Sequence, residues 1–265
     1  MKKIAIIGAG VMGKIFLKAA LKIFPRAKIV ITDRDAANLK KIKKEFPRVA
    51  VSLDNRSAII GASLIILAVK PQSFDEAARE LKDRLSARAL VLSIMAGVTS
   101  QKIQKQLGVK KIIRAMPNLG ARVNKSMTVW FSSGQVSALE KKMVRLLFRG
   151  MGQELFVRSE AMINKATAVS GSGPGFFFFL VEGWLKAIQK LGFSLSESKE
   201  LLFNTLEASN ELLLINGDPS ELKNQVASKG GTTEAGLKVM AKNGVERLWP
   251  KVLAAAYKRS QELSK

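Results

Sequence analysis

Neither cysteine nor histidine occurs in the 265 residues. The first absence excludes disulfides and thiolate nucleophiles, and the second removes the side chain most often used as general base or metal ligand near neutral pH. No metal is expected, and any catalysis has to run without imidazole. Polar aromatics are scarce too, one Tyr and three Trp, and neither a zinc-finger spacing nor an RNA-recognition signature occurs. Acid is also short: 21 Asp and Glu against 44 Lys and Arg give a formal net charge of +23. The excess is dispersed, densest at Lys40-Lys41 and Lys43-Lys44, which is the pattern of a solvated basic surface that attracts small anions. No nucleic-acid partner is expected. Long apolar runs are missing as well. Gly175 to Val181 stops at Glu182, too short to span a bilayer. Ile4 to Val11 behind Lys2-Lys3 has the outline of a secretory signal, but Gly8, Gly10, Gly13 and Lys14 interrupt it and no convincing cleavage site follows. A cytoplasmic protein with no membrane partner is the expectation.

What is present begins with an apolar run, Ile4 to Ile7, then Gly8-Ala9-Gly10-Val11-Met12-Gly13, then apolar residues at helical spacing through Ile23. The order is strand, glycine turn, helix. Gly8 permits the tight turn, Gly10 lets the backbone approach a pyrophosphate, and Gly13 lets the helix pack closely on the strand. A second strand, Lys28 to Thr32, ends in Asp33, 20 residues after Gly13, where an acid would hydrogen-bond a ribose hydroxyl. Arg34 follows, and an arginine there suits the additional phosphate of NADP. NADH and NADPH therefore both stay open.

The alternation continues with a helix over about Ala36 to Phe46, strand Val49 to Ser52, a helix starting at Asn55 and strand Leu64 to Val69. Ala68-Val69-Lys70-Pro71 leaves that strand at the edge where ligands bind in open α/β sheets, so Lys70 is placed to meet a phosphate or ribose. Ala89 to Ser93 and Lys111 to Ala115 read as strands, each feeding a compact loop, Ile94-Met95-Ala96-Gly97 and Met116-Pro117-Asn118. Strand Met127 to Ser132, helix Ser137 to Arg149 and strand Glu154 to Val157 complete the first half. Strand signals then stop. The fold expected is an α/β Rossmann-type domain with a mostly parallel sheet over residues 1–158, followed by an all-α domain over 159–265.

In the second half, Ala166 to Gly175 is too rich in small residues for an ordinary helix interior. Phe176 to Gly192 reads as a helix apolar on nearly all sides except Glu182, Lys186 and Lys190, and a second subunit is the readiest cover for it. Helices over Leu201 to Ile215, from Asp218-Pro219 onward, and over Glu246 to Leu263 follow. Between the last two lies Ser228-Lys229-Gly230-Gly231-Thr232-Thr233, a glycine turn feeding another helix. A small anion such as a carboxylate would dock there on the amides of Gly231 and Thr232, with the hydroxyls of Thr232 and Thr233 beside it.

Taken together these motifs resemble the pyrroline-5-carboxylate reductase family over nearly the whole chain. Gly8 to Gly13, Ala68 to Pro71, Arg114-Ala115-Met116-Pro117-Asn118, Ser170-Gly171-Ser172-Gly173-Pro174 and Ser228 with Gly230 to Thr233 match in order. The resemblance implies that Gly8 to Gly13, Arg34, Asn55, Ala68 and Lys70 hold NADPH or NADH. It implies also that Ala96 in its loop and Asn118 lie near the nicotinamide. The substrate, 1-pyrroline-5-carboxylate, would rest its carboxylate on the Ser228 to Thr233 turn, with Thr233 hydrogen-bonding the ring nitrogen, and the helical half would make a homodimer or higher homo-oligomer. The chemistry accounts for the missing histidine, because a protonated cyclic imine is already an electrophile that needs mainly positioning. Three departures from the family pattern occur, at Lys229, at Leu119-Gly120 and at Gly175. The alternatives are another imine or hydroxyacid oxidoreductase on the same scaffold, and a non-catalytic dinucleotide sensor. Hydroxyacid dehydrogenases of this kind carry a lysine where Pro174-Gly175-Phe176-Phe177-Phe178-Phe179 has none.

Overall fold

The computed structural model describes residues 2–86 and 88–263; the termini of the two expected domains, Met1 and Ser264-Lys265, lie outside these. The chain divides into two compact units, Met1–Pro174 with Ala255–Lys265, and Gly175–Ala254.

The first unit is built on one eight-stranded sheet: β1 (Lys3–Ile7), β2 (Lys28–Thr32), β3 (Ala50–Ser52), β4 (Leu64–Leu67), β5 (Leu90–Ser93), β6 (Ile112–Met116), β7 (Ser126–Ser132) and β8 (Gly152–Phe156). Their order is β3-β2-β1-β4-β5-β6-β7-β8, parallel throughout except where β7 pairs antiparallel to β6. Residues alternate between the two faces, as strand geometry requires. Ile4, Ile6, Leu64 and Ile66 enter one core with Phe16, Leu17, Leu147 and Phe148. Ala5, Ile7, Ile65 and Leu67 enter the other with Phe74, Leu81 and Ile103. Two-sided burial explains why these strands read as continuous apolar runs.

The connecting helices are α1 (Val11–Ile23), α2 (Ala36–Glu45), α3 (Asn55–Ile59), α4 (Phe74–Leu81), α5 (Ser100–Leu107), α6 (Ala138–Arg149) and α7 (Ala161–Ala166). Side-chain caps set where several begin. Asp35 accepts the amides of Ala37 and Asn38, Asp54 those of Arg56 and Ser57, and Ser137 forms a reciprocal capping box with Glu140.

Ala166 to Gly175 is helical, against the expectation of an irregular segment. Its small residues act by widening the helix rather than ending it: Thr167–Gly171 forms a π turn, with the Ser172 amide bonded to the Thr167 carbonyl at 2.9 Å. The hydroxyls of Thr167, Ser170 and Ser172 donate back to carbonyls four or five residues earlier, which favours the wider turn. A Cβ on Gly171 would stand 2.9 Å from Met116 Cε, the mobile end of a flexible side chain that can move aside.

The second unit is helical: α8 (Gly173–Lys190, entering from the first unit), α9 (Leu195–Asn216), α10 (Pro219–Val226), α11 (Thr232–Lys242) and α12 (Val245–Glu262), whose last turns return to the first unit. Lys186 pairs with Glu182 at 2.5 Å along the polar stripe of α8. The apolar sides of that helix are open, with Phe179 at 75 % and Trp184 at 50 % exposure. Pro250 lies beyond the first turn of α12, where it deprives the Glu246 carbonyl of its helical donor. No helix among the described residues is long and apolar enough to cross a membrane.

Candidate functional site

Parallel strands β1, β2, β4 and β5 all deliver their C-terminal ends to one edge of the sheet, and the loops leaving them carry most of the sequence-predicted cofactor residues. A cavity of about 250 Å³ opens at this edge, lined by Gly8, Gly10, Asp33, Arg34, Asn55, Ala68, Val69 and Lys70, with Leu53, Ser73, Ala77 and Glu80 among the others.

Each glycine has its own reason. Gly8 takes φ +103°, and a Cβ there would lie 2.7 Å from the Ala68 carbonyl. A Cβ on Gly13 would collide with the Gly8 carbonyl oxygen, so this residue lets α1 sit against the turn. Around Gly10 there is nothing within 4 Å of a Cβ. Gly10 also caps α1 with no side-chain bond, which leaves the helix N-terminus open to an anion. Open space at one glycine and protein at the other two is what a dinucleotide cradle requires. Ala9 is buried, Met12 packs against the core, Val11 is exposed and Pro71 opens a short 3-10 turn; none of these four lines the cavity.

Asp33 is more occupied than its position alone suggests. Its Oδ2 accepts the Ala9 amide at 2.8 Å and its Oδ1 the Asp35 amide at 3.1 Å, so it holds the glycine turn in shape. Arg34 is paired with Glu76 at 2.5 Å. Asn55 accepts from the Thr32 hydroxyl at 2.5 Å and donates to Glu80 at 2.6 Å, which fixes a polar wall of the cavity. Glu76 and Glu80 lie one turn apart on α4, a helix that the sequence reading passed over. Phe74, Ala77, Ala78 and Leu81 gave its signal, an apolar face at helical spacing that is buried as expected.

Farther along the edge, Ala96 lies in the loop after β5, where Gly97 takes φ +78° and has the Leu263 carbonyl against it. Asn118 caps the 3-10 turn Leu119–Val123 through Gly120, and its Nδ2 donates to the Ser170 carbonyl at 3.1 Å. Both ends of its amide are thus used within the protein. Gly120 is required by the fold here, since a Cβ would stand 2.6 Å from the Lys125 carbonyl. Beneath lies a buried ion pair. Arg114, 2 % exposed, meets Glu160 at 2.7 Å, and Glu160 also accepts the amide and the hydroxyl of Ser100. Burial pushes the Glu160 carboxyl up, but the Ser100 and Arg114 donors outweigh it and hold it below its ordinary value.

In the second unit, the Ser228 to Thr233 turn leads into α11 as expected, with Gly230 at φ +75° and Gly231 as the cap. Of the two amides expected as donors, Gly231 and Thr232, the first is already used within the turn. The Gly231 amide donates to the Ser228 carbonyl at 3.0 Å and the Gly230 amide to Glu234 Oε2 at 2.7 Å, because the turn closes on itself before the helix starts. Helix geometry leaves the amides of Thr232 and Thr233 without an intrahelical acceptor. Gly231 is fixed by Ser228, whose Oγ would lie 2.6 Å from a Cβ. Lys229 is exposed.

Comparison with known proteins adds the following. Residues 160–263 match the family model for pyrroline-5-carboxylate reductase dimerisation, and residues 3–97 that for coenzyme F420-dependent NADP oxidoreductase. The pyrroline-5-carboxylate reductase of Pseudomonas aeruginosa is 35 % identical, with 99 % of this chain and 97 % of that protein covered. The structure of such a reductase from Coxiella burnetii is 32 % identical, with TM-score 0.87 over 99 % of this chain and 98 % of that one. A Plasmodium falciparum pyrroline carboxylate reductase solved with NADP bound is 25 % identical, with TM-score 0.88 over 100 % and 98 %.

Proposed function

The chain belongs to the pyrroline-5-carboxylate reductase family, and from that premise we propose how its residues divide the work of an NAD(P)H-dependent reduction of 1-pyrroline-5-carboxylate to L-proline. The observation that carries the reading is the full-length match to such reductases, Rossmann-type and helical halves together.

Gly8 to Gly13 hold the dinucleotide, with its pyrophosphate at the open side of Gly10 and the N-terminus of α1. Arg34, Asn55, Ala68, Val69 and Lys70 line the cavity in which its adenosine end rests. Asp33 shapes that cavity by holding the Ala9 amide. When bound, the reduced nicotinamide supplies the hydride that the imine carbon accepts. The substrate carboxylate rests on the amides of Thr232 and Thr233, where the positive end of the α11 dipole favours an anion. Ser228 and Gly231 keep the turn in the shape that presents them. The Thr233 hydroxyl orients the ring nitrogen. The nitrogen keeps its proton as the iminium becomes an amine, so no protein base is needed, which fits a chain without histidine.

We assign residues 159–265 to substrate binding and dimerisation. Among the described residues of the unit Gly175–Ala254, only Leu202 and Ser198 are buried. A helical unit with so little interior of its own needs a partner surface. A cytoplasmic location agrees with the absence of a membrane-spanning helix among the described residues.

The test is the loss of reduced-nicotinamide absorbance when the purified protein meets pyrroline-5-carboxylate, with proline measured as product. Stoichiometric proline supports the reading. Dinucleotide binding without proline formation overturns it in favour of another imine substrate or a sensor.

A further inference from the structure

The cavity at the sheet edge has a charge balance unlike that of the rest of the molecule. The chain carries 44 basic and 21 acidic residues, yet the charged groups lining this cavity are two acids, Asp33 and Glu80, and two bases, Arg34 and Lys70. Glu76 then closes on Arg34 at 2.5 Å and tips the local balance to negative. Each acid is held in place. Asp33 is fixed by two backbone amides, Glu80 by the Asn55 amide at 2.6 Å, and Glu76 by Arg34 itself.

Arg34 stands one residue past Asp33 at the end of β2, a position from which an arginine can meet the 2′-phosphate that distinguishes NADPH from NADH. A phosphate monoester there brings a charge of about −1.5 to −2 near neutral pH. To reach Arg34 it must displace the Glu76 carboxylate or share the guanidinium with it. A 2′-hydroxyl meets no such opposition and can use the free lone pairs of Asp33. We propose that Glu76, by occupying Arg34, makes this enzyme select NADH over NADPH. The proposal rests on the reading of this cavity as the dinucleotide site. It adds that an acid on α4 decides between the two dinucleotides.

Both members of the pair are exposed, Arg34 at 61 % and Glu76 at 52 % of their side-chain surface, so the effect is that of a screened surface pair rather than of a buried one. Removing the charge in Glu76→Gln should tighten NADPH binding about three- to tenfold and leave NADH within about twofold.

The test is fluorescence titration of the full-length protein, wild type and Glu76→Gln, with NADH and NADPH separately. Calorimetric titration with 2′,5′-ADP isolates the adenosine end. Wild type should bind NADH more tightly than NADPH, and Glu76→Gln should narrow or reverse the ratio. In an Arg34→Gln background the Glu76→Gln gain for NADPH should shrink, because part of it acts through Arg34. Discrimination in the wild type should weaken as salt is raised, which a merely structural role would not produce. A wild type that prefers NADPH, or a variant that shifts both dinucleotides equally, overturns the proposal while leaving proline formation, and so the reductase reading, intact. Binding of neither dinucleotide by the wild type overturns both.

Discussion

At the scale of single residues, the glycine turn separates folding from binding. Gly10 faces open space and Gly13 faces the Gly8 carbonyl, so two substitutions of similar chemistry should part ways. Gly10→Val should leave the thermal midpoint nearly unchanged and abolish dinucleotide binding in a titration. Gly13→Ala should lower the midpoint as well, because two backbone segments in contact have to separate. At the other end of the chemistry, Thr233→Ala should cut kcat about tenfold or more while dinucleotide affinity stays within about twofold, since one positioning hydrogen bond is lost from the transition state. Equal losses in both would remove Thr233 from its assigned role. The two glycine turns themselves were legible in the sequence, because each depends on local backbone conformation and short spacing. That the Gly231 amide is spent on the Ser228 carbonyl was not legible, since that bond is settled by how the turn closes.

At the scale of elements, the central strands β1, β4 and β5 were legible because two-sided burial writes them as apolar runs, whereas the bounds of the more exposed β8 were less clear. Short amphipathic helices such as α4 and α5 were harder to see, with few apolar positions each. The π turn at Thr167–Gly171 could not be read from composition, because back-bonding hydroxyls rather than glycine flexibility shape it. The Arg114 and Glu160 pair joins β6 to the start of α7, elements far apart in sequence. Glu160 lies below its ordinary value near 4.5 in the folded protein. Its contribution is therefore complete above about pH 4.5 and is lost as pH falls through the lower folded value. Glu160→Gln should flatten that acid limb in a series of melts, and at neutral pH it should cost about 3 kcal/mol by stranding the buried Arg114 charge. Caps should behave more modestly: Asp218→Ala should lose about 1 kcal/mol in denaturant melts, having given up two amide bonds at the head of α10.

At the scale of the whole molecule, the apolar surface of the helical unit predicts assembly. Phe179 is 75 % and Ile215 79 % exposed in the single chain. Phe179→Asp should shift the light-scattering mass toward the monomer at micromolar protein, and an unchanged mass would remove α8 from the interface. The last turns of α12, from Ala255 onward, belong with the first unit, where Leu263 lies against Gly97 in the loop after β5. This arrangement imposes an order in time. The ribosome makes the whole sheet early, then all of Gly175–Ala254, and only afterwards the segment that packs beside that loop. At about 5–20 residues per second, the nascent sheet, complete at Phe156, waits roughly 5 to 21 s for Leu263 with the loop uncovered. Until then the surface around Gly97 stays open, and in the finished protein Leu263 closes it.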